Sequence, residues 1–320
     1  MKAAVVSSFD STPRYEEFPL PTPGEGELVV DVLAAGLHPR VLSQADGSHY
    51  TSTDELPLVP GIDGVGRDAD GNLRYFVLPD TALGAMAERT VIDVRRSVLL
   101  PEDTDPVAVA AAMNPAMSSW VALRRRITFE PGQNVLILGA TGSAGQLAVQ
   151  VTKLFGANRI IAAGRDTSRL ATLTALGATG TVPLDGDPAD VASRLGTAAA
   201  DVDVVLDYVW GAPTAAAMTA VVTGRADRGK PLSWVQIGAV AGPTAAIPSA
   251  ALRASRLQIV GSGQGSVPTR DILAELPHIA AAITGGSFTI DTEPVPLADV
   301  EQTWSRARAS RRRIVFVPRP

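Results

Sequence analysis

The chain has 320 residues, of which 46% are hydrophobic and 19% are charged, so it is long and apolar enough for two domains with buried cores. The sequence contains no cysteine, which excludes disulfides, thiolate zinc sites and cysteine nucleophiles. Its net charge of −5 argues against general attraction to nucleic acid. We expect no signal peptide and no membrane-spanning stretch, and therefore a soluble, cytoplasmic protein without membrane or nucleic-acid partners.

Short apolar segments punctuated by glycine and proline occupy the N-terminal part of the chain, which predicts a compact, mostly β, barrel-like domain. The predicted strands are residues 1–6, 27–34, 73–78 and 86–92. The pattern changes near residue 105. Asp105 and Pro106 are typical of the N-cap and first position of a helix, which we expect to break at Pro115.

Strands and helices then alternate, which is typical of a parallel sheet covered on both faces. The predicted strands are residues 134–138, 159–163, 202–206, 233–237 and 257–260. In the tail we predict helices at 269–284 and 297–308, and strands at 288–291 and 313–317. Residues 265–320 are too few to fold alone, so we expect them to complete the domain of residues 1–118, with residues 119–264 inserted as a second domain. The basic stretch from Arg306 to Arg313 is interpreted as the solvated face of a terminal helix, with contact to a phosphate ligand as the alternative.

A glycine-rich turn follows the predicted strand at 134–138 and precedes a helix predicted at 146–155. Its residues are Gly139, Ala140, Thr141, Gly142, Ser143, Ala144 and Gly145. Glycines here permit a tight turn and close approach to a pyrophosphate, and the following helix N-terminus supplies unpaired N–H groups. The turn therefore predicts a Rossmann-type dinucleotide site. The alternative is that it only connects the strand to the helix.

The end of the second strand of this domain indicates which dinucleotide binds. NAD-specific folds usually carry an acidic residue there to accept hydrogen bonds from the ribose 2′-hydroxyl. Here the strand ends in Gly164, and Arg165, Ser168 and Arg169 follow, of which the arginines suit a 2′-phosphate. Asp166 is a contrary signal, but it falls two residues late and suits a helix N-cap. We predict NADPH as the cofactor and expect Gly164→Asp to shift the preference towards NADH.

Further segments reinforce this assignment. They are Pro-Gly-Ile-Asp-Gly-Val-Gly at 60–66, Ser-Ser-Trp-Val-Ala-Leu at 118–123, Leu-Ala-Val-Gln at 147–150, Leu-Gly-Ala at 176–178 and Asp-Val-Val-Leu-Asp at 203–207. Together they resemble the medium-chain dehydrogenase/reductase superfamily, in its zinc-free quinone oxidoreductase branch, over essentially the whole chain. The resemblance implies an α/β fold, with a doubly wound parallel Rossmann sheet inserted in a discontinuous, mostly β GroES-like domain. It also implies a homodimer.

The resemblance places two zinc-ligand positions of zinc alcohol dehydrogenases at His38, in place of a cysteine, and at Ile62, in place of a histidine. His38, His49 and His278 are the histidines available to a metal, but an apolar side chain at a required ligand position argues against a catalytic zinc. We therefore predict hydride transfer without a metal, from NADPH to a quinone or an activated carbon–carbon double bond of a small-molecule substrate.

In the quinone oxidoreductases that the chain resembles, an Asn and one or two Tyr residues in or near an Asn-Pro-x-Asp-x-Tyr segment line the substrate site. The aligned positions here are His38, Val41 and Ser43, and a second family Tyr aligns with His49 or with Tyr50. His49 and Tyr50 are therefore the leading predicted catalytic donors, followed by His38. The alternatives are that His49 and Tyr50 form the tip of a polar loop and that His38 only satisfies backbone groups.

Four further residues are predicted to contact the cofactor. Ser118 matches a family Thr near the nicotinamide, and Asp207, Gly238 and Gly261 end or follow strands of the parallel sheet. Ligands of open α/β sheets lie beyond the carboxyl ends of strands, which is where these loops fall. Asn114 is interpreted as either a turn residue or a polar donor.

Two other functions stay open on the sequence alone. An alcohol or ketone reductase is disfavoured by the missing zinc ligands and by the lack of a clear Tyr/Lys acid pair. A sensor or structural protein that binds NADPH without turnover is the alternative outside catalysis. The apolar strand at 257–260 is predicted to be a sheet edge that pairs across the axis of a dimer.

Overall fold

The computed structural model describes residues 1–318 and divides into two compact units. The terminal unit contains Met1–Asn114, Leu276–Gly286 and the chain from Ile290 onwards. The central unit contains Pro115–Glu275 and Ser287–Thr289. The chain thus passes between units after Asn114 and after Glu275, and twice more on either side of Ser287–Thr289. The sequence instead predicts boundaries at residues 118 and 264.

The strands are numbered in chain order through both units. They are β1 (Lys2–Val5), β2 (Arg14–Glu17), β3 (Glu27–Gly36), β4 (Asp63–Asp68), β5 (Leu73–Val77), β6 (Arg89–Asp93), β7 (Ser97–Leu99), β8 (Asn134–Leu138), β9 (Arg159–Gly164), β10 (Gly180–Pro183), β11 (Val204–Asp207), β12 (Leu232–Gln236), β13 (Leu257–Gly261), β14 (Thr292–Pro296) and β15 (Arg313–Val317).

The helices are numbered in the same way. They are α1 (Pro39–Ala45), α2 (Pro106–Val121), α3 (Ser143–Leu154), α4 (Thr167–Leu176), α5 (Pro188–Ala198), α6 (Gly211–Gly224), α7 (Ser249–Arg253), α8 (Thr269–Leu273), α9 (Leu276–Thr284) and α10 (Val300–Arg306). A π-helical segment, Ala122–Arg126, continues α2, and short 3-10 turns lie at Val94–Arg96, Leu297–Asp299 and Ala307–Ala309.

The central unit contains a six-stranded parallel sheet in the order β10-β9-β8-β11-β12-β13. In order of appearance this is 3-2-1-4-5-6, the doubly wound arrangement in which ligands bind where the strand order reverses. Leu138 pairs with Ala163 on one side and with Asp207 on the other, so β8, β9 and β11 end at one level. The predicted parallel sheet is confirmed, and its carboxyl edge carries the glycine-rich turn.

Continuous burial explains why these segments form strands. All five residues of β8 and all four of β11 are buried, and helices α3 to α6 alternate with the strands. A parallel sheet covered on both faces needs apolar side chains at successive positions, as β8 has in Val135 to Leu138. The core of this unit extends from these strands to Val221 and Trp234.

The terminal unit has a mainly antiparallel sheet in the order β14-β15-β3-β4-β5-β7, with β6 also paired to β3 and a separate β1-β2 ribbon. Its core includes Val32, Phe76, Met86 and Phe316. Because β15 from the end of the chain pairs with β3 from its beginning, both chain ends build one sheet, as predicted for the mostly β part of the fold.

The expected helix break at Pro115 is wrong. Helix α2 runs through Pro115 to Val121, and its N-cap is the predicted one, since Oδ1 of Asp105 accepts from the Val107 N–H at 2.8 Å. An interior proline costs about 3 kcal/mol. Burial of neighbouring side chains such as Met113 and Ala116 offsets this cost. Asn114 lies inside the helix, so its interpretation as a turn residue is also wrong.

The strand expected at residues 288–291 is wrong as well, because the pairing strand is β14, which begins at Thr292. The Gln150 side chain explains the shift: its Oε1 accepts from the Thr289 N–H at 2.7 Å and its Nε2 donates to the Thr289 carbonyl at 2.8 Å. The helix expected at 269–284 is divided into α8 and α9. Pro277 cannot continue the preceding turn, so the helix restarts beside it.

One helical segment, Pro106–Arg126, is long and apolar enough to cross a membrane by length and composition, contrary to the expectation of no such stretch. Within the protein, 67% of its apolar window is buried, as in the core helix of a soluble protein. The segment is therefore weak support for a membrane span.

Ion pairs account for much of the basic stretch near the end of the chain. Arg306 pairs with Glu293 at 2.7 Å, Arg308 with Asp46 at 3.5 Å, and Arg312 with Asp291 at 2.9 Å. The stretch is only partly helical, because α10 ends at Arg306 and residues 311–312 precede β15.

Candidate functional site

The glycine-rich turn joins β8 to α3 at the carboxyl edge of the central sheet. Gly139 has φ +85°, a left-handed conformation that favours glycine. The N–H groups of Gly139 and Ala140 both donate to the Ala163 carbonyl at 2.9 Å, which ties the turn to β9. The N-cap of α3 is Gly142, which has no side chain to satisfy the N–H groups of the first helical turn. Those groups are suited to an anion.

The remaining glycines of the turn serve different purposes. A Cβ atom on Gly145 would lie 2.3 Å from the Gly139 carbonyl oxygen, so this position permits only glycine at the close contact of turn and helix. A Cβ on Gly142 would meet only that same oxygen, at 3.7 Å. There is therefore open space beside Gly142. A ligand that approaches the backbone closely needs such space.

Gly164 ends β9 directly beside the turn. A Cβ there would lie 2.6 Å from Cγ2 and 3.0 Å from Oγ1 of Thr141. The two residues are thus in contact, and any larger residue at 164 forces the Thr141 side chain to move. The effect predicted for Gly164→Asp therefore combines a charge with a steric change.

The residues after Gly164 form the start of α4. Oδ1 of Asp166 accepts from the Arg169 N–H at 3.1 Å and from the Ser168 hydroxyl at 2.6 Å, so Asp166 is the N-cap of α4. The Arg169 guanidinium donates from Nη1 to the Thr141 carbonyl at 3.0 Å and lies 3.7 Å from Asp166. Arg165 is exposed. The structure thus places Arg169 against the turn and leaves the Arg165 side chain in solvent.

Asp207, the last residue of β11, is fully buried and accepts four hydrogen bonds from the protein. The donors are the N–H groups of Val209 at 2.8 Å and Trp210 at 3.1 Å, the Thr214 hydroxyl at 2.8 Å and the Trp234 indole N–H at 2.9 Å. A carboxylate has about four acceptor positions, so this set uses its capacity. Asp207 holds the loop after β11 in place.

The next residue, Tyr208, connects this loop to the turn and to α2. Its Cβ would lie 3.2 Å from a Cβ on Gly139, and its hydroxyl lies 3.0 Å from Oγ of Ser118. Ser118 donates to the Pro115 carbonyl at 2.7 Å, so in this arrangement the Tyr208 hydroxyl is the donor of the pair. Burial raises the pKa of Tyr208 to about 12, although the hydrogen bond with Ser118 opposes the shift.

The other two predicted loop glycines lie on neighbouring strands of the same edge. A Cβ on Gly238 would lie 2.7 Å from the Tyr208 carbonyl oxygen, so the loops after β11 and β12 are packed against each other there. Gly261 ends the edge strand β13, and its carbonyl accepts from Nε of Arg126 at 2.6 Å.

An apolar pocket that the sequence reasoning missed opens beside the turn, at the carboxyl ends of β8, β10 and β11. Its lining includes Leu138, Leu184, Pro188, Val191, Val209 and Pro213. The sequence signal was weak, because these residues come from the end of β8, from the loops after β10 and β11, and from α5 and α6. The only local indication of the pocket in the sequence is the pair of prolines near the starts of α5 and α6, Pro188 and Pro213.

In the terminal unit, His38 belongs to a buried polar network. Its Nε2 lies 3.0 Å from Oδ1 of Asp63, and the Tyr75 hydroxyl donates to Oδ2 of Asp63 at 2.8 Å. Burial lowers the pKa of His38, and the adjacent Asp63 carboxylate only partly offsets this. Burial also lowers the pKa of Arg313, to about 10, while its Nη1 donates to the Leu37 carbonyl at 2.8 Å. The sequence indicates His38 as a site residue but gives no sign that Asp63 and Tyr75 form a network with it.

His49 and Tyr50 lie together on the loop after α1. Their rings are stacked with centroids 4.4 Å apart, and the Tyr50 side chain is 72% exposed. Nδ1 of His49 lies 2.9 Å from Oγ1 of Thr51, which also accepts from Arg40 at 3.4 Å, and Arg40 pairs with Asp80 at 2.5 Å. Partial burial, followed by the positive charge of Arg40, lowers the pKa of His49.

The side chains at the zinc-ligand positions do not suit a metal. Ile62 is buried and has no donor atom, and His38 is already bonded to Asp63. Among residues 1–318, no group of three or more His, Cys, Asp or Glu side chains is placed to hold a metal ion. Zinc sites need three or four such ligands around one point. The donor set therefore does not fit a catalytic zinc.

Comparison with known proteins agrees with this geometry. Residues 144–281 match the family model described as zinc-binding dehydrogenase. The full chain is similar to a protein of Emericella nidulans named "Probable NADPH-dependent quinone reductase", with 31% identity over 99% of this chain and 100% of that protein. A chloroplast NADPH-dependent alkenal/one oxidoreductase of Arabidopsis thaliana is 28% identical over 56% of this chain and 51% of its own length.

Among solved structures, the quinone oxidoreductase of Thermus thermophilus, which has also been determined in complex with NADPH, superposes with a TM-score of 0.83. The two sequences are 26% identical, and the match covers 99% of this chain and 100% of the other.

Proposed function

This chain belongs to the quinone oxidoreductase branch of the medium-chain dehydrogenase/reductase superfamily, and we propose that it reduces a quinone or an enone-like carbon–carbon double bond with NADPH. The observation that carries the proposal is the open Gly139–Gly145 turn with Gly164 beside it, where an NAD-specific fold would place an acid. Relatives named for NADPH-dependent reduction of quinones and of alkenals or alkenones support both halves of the proposal.

The turn and the start of α4 would hold the phosphates. The N–H groups of Ser143, Ala144 and Gly145 stand at the start of α3, where the helix dipole favours the pyrophosphate. Arg165 and Arg169 supply positive charge next to Gly164 for a 2′-phosphate, and the Ser168 hydroxyl lies with them. Arg169 would act from its position on the Thr141 carbonyl.

The apolar pocket beside the turn suits the adenine ring. Its lining presents apolar surface at the carboxyl edge of the sheet, from Leu184, Pro188, Val191, Val209 and Pro213. An aromatic base gains free energy when it leaves water for such a surface. The pocket thus supplies affinity for the adenosine half, whereas the turn supplies it for the phosphates.

Asp207 and the Ser118–Tyr208 pair would position the cofactor rather than exchange protons. All four acceptor positions of Asp207 serve the loop after β11. The Ser118 proton goes to the Pro115 carbonyl and the Tyr208 proton to Ser118, so neither hydroxyl has a proton left for a substrate. Gly238 lets the loop after β12 pack closely against the Tyr208 carbonyl, and the Gly261 carbonyl accepts from Arg126.

We propose that the terminal unit provides the proton. His49 is the first candidate, because its Nδ1 is fixed by Thr51 and its lowered pKa makes the protonated ring a ready donor. Tyr50 is stacked on it, and His38 is the third candidate, held by Asp63 inside the unit. When bound, NADPH supplies the hydride; one further proton completes the two-electron reduction of the acceptor.

A cytoplasmic homodimer completes the proposal. Strand β13 lies at the edge of the central sheet, with Leu257, Ile259 and Val260 half-buried. An unpaired edge with apolar residues invites pairing with another chain, and a second copy of this strand is the partner we propose.

The experiment that tests the proposed function measures NADPH oxidation against one series of quinones and one series of enones, with and without a chelator. We expect turnover with at least one series and no loss of rate in the chelator. Tight NADPH binding without turnover on either series would identify a sensor instead. Loss of activity in the chelator, restored by zinc, would contradict the metal-free reaction.

A further inference from the structure

Trp210 has a backbone conformation that its side chain disfavours. Its φ is +54° and its ψ is −166°, in a region that is essentially limited to glycine. Among residues 1–318 it is the one non-glycine residue with positive φ. The next residue, Gly211, also has positive φ, +70°. A tryptophan at this position therefore destabilises the protein relative to a glycine.

The buried carboxylate of Asp207 explains why the conformation persists. Its Oδ1 accepts from the N–H groups of Val209 at 2.8 Å and Trp210 at 3.1 Å, and its Oδ2 accepts from Thr214 and Trp234. These bonds determine the path of the loop whatever the residue at 210. They do not explain why that residue is the largest of the twenty.

The surroundings of Trp210 point to a ligand. Val209 precedes it and Pro213 lies three residues beyond it, and both line the apolar pocket beside the glycine-rich turn. Val209 also reaches the turn, since its Cγ2 would lie 3.2 Å from a Cβ on Gly139. The Trp210 side chain is only half-buried within the protein. A large, rigid aromatic side chain that is partly exposed to water thus belongs to a loop whose neighbouring residues line an apolar pocket.

We propose that Trp210 determines cofactor affinity by packing its indole ring against the adenosine half of the bound dinucleotide. This inference rests on the proposed function. A strained backbone conformation is retained at a ligand site when the strained residue contributes to binding. Stacking between an aromatic side chain and a base strengthens binding by about tenfold or more. In the complex, the free energy of stacking thereby offsets the free-energy cost of the strained Trp210 backbone.

Three variants of Trp210 separate the ring from the backbone. Trp210→Phe keeps an aromatic ring and the strained backbone, Trp210→Leu keeps the strain without a ring, and Trp210→Gly removes both. Each is titrated by calorimetry with NADPH and with 2′,5′-ADP, which contains only the adenosine half. The melting temperature of each free protein is measured alongside.

We expect Trp210→Phe to bind both probes nearly as tightly as the wild type, and the Leu and Gly variants to lose about tenfold in affinity for both. The free Gly variant should melt no lower than the free Leu variant, because it is relieved of strain. The inference is overturned if the Leu variant binds as tightly as the Phe variant. It is also overturned if the loss affects NADPH but not 2′,5′-ADP. A wild-type protein that binds neither probe would instead contradict the proposed function, and the inference with it.

Discussion

Nε2 of His38 lies 3.0 Å from Oδ1 of Asp63, and both side chains are at most 2% exposed. Asp63 also accepts from the Tyr75 hydroxyl, so the buried carboxylate is bonded on both oxygens. By the sequence resemblance, His38 aligns with a cysteine ligand of zinc alcohol dehydrogenases, and Asp63 follows Ile62, which aligns with a histidine ligand. A hydrogen bond between two buried side chains thus lies at the positions that the sequence resemblance aligns with zinc ligands.

The first prediction concerns the pH dependence of folding. Burial lowers the pKa of His38, so the folded protein keeps the ring neutral, whereas the unfolded chain protonates it below about 6.5. The unfolded state then binds the extra proton. The stability contribution of His38 is therefore complete above that pH and is lost as pH falls, by up to about 1.4 kcal/mol per pH unit. Urea unfolding of the wild type between pH 7.5 and pH 5 measures the slope.

A matched pair of variants isolates this group. We expect His38→Gln to flatten the slope below about pH 6.5, and His278→Gln, which replaces an exposed histidine, to leave it unchanged. Parallel slopes for wild type and His38→Gln would show that the buried histidine does not cause the pH dependence.

The second prediction concerns the phosphate-binding turn. Gly142→Ala adds a methyl group whose nearest neighbour within the protein is the Gly139 carbonyl oxygen at 3.7 Å, so the fold should tolerate it. The same methyl group enters the space proposed for the pyrophosphate. We expect about a tenfold or greater loss in NADPH affinity with little change in melting temperature. Gly180→Ala, where a Cβ meets nothing within 4 Å, is the control and should change neither. Equal NADPH affinities of the two variants would argue against a phosphate at this turn.

The third prediction concerns the choice of cofactor. Because a Cβ at 164 lies 2.6 Å from Thr141, Gly164→Asp alone mixes steric and charge effects. The test therefore combines it with Thr141→Ala and compares that double variant with Thr141→Ala/Gly164→Asn, which has similar bulk and no charge. We expect only the Asp variant to lose NADPH affinity and gain NADH affinity, since a carboxylate repels the 2′-phosphate and accepts from a 2′-hydroxyl. The ratio of dissociation constants measures this. A ratio that is the same in the two double variants would refute NADPH selection at this position.

The fourth prediction concerns the proton donor. If protonated His49 donates, kcat/KM should rise as pH falls through the lowered pKa of this residue. His49→Gln should remove that rise and reduce kcat/KM by about a hundredfold at low pH. Tyr50→Phe keeps the ring that stacks on His49 and should leave the profile intact. If instead Tyr50→Phe is the variant that loses activity, the role belongs to the tyrosine.

The fifth prediction concerns the sheet edge. The Leu232 N–H donates to the Arg256 carbonyl and the Ser262 N–H to the Gln236 carbonyl, so even-numbered residues of β13 face β12 and the backbone of Ile259 faces outwards. Ile259→Pro removes an outward N–H, whereas Ile259→Ala removes side-chain contacts but keeps that N–H. We expect light scattering to give a dimer mass for the wild type and the Ala variant and a monomer mass for the Pro variant. A monomeric wild type would remove the proposed interface.

The sequence by itself was sufficient for the parallel sheet, the glycine-rich turn and the NADPH assignment. These depend on local patterns: buried apolar runs for β8 and β11, glycines at fixed spacing in the turn, and the residue type at 164. Such features act over a few residues, so they can be recognised without knowledge of the rest of the fold. The resemblance to the superfamily depended on the same short segments.

Only the tertiary structure decided which polar residues act together. The position of Asp207 at the end of a strand predicts contact with the cofactor. In the structure its carboxylate instead accepts from four donors of the protein, up to 27 positions away: Val209, Trp210, Thr214 and Trp234. His38 is likewise hydrogen-bonded to Asp63, which lies 25 positions away in the sequence. Hydrogen bonds between distant residues have no spacing rule in the sequence, because loop lengths and chain crossings determine which donors reach which acceptors. The strained backbone of Trp210 follows from the same cause, since a buried carboxylate that α6 and β12 hold in place dictates the path of the loop.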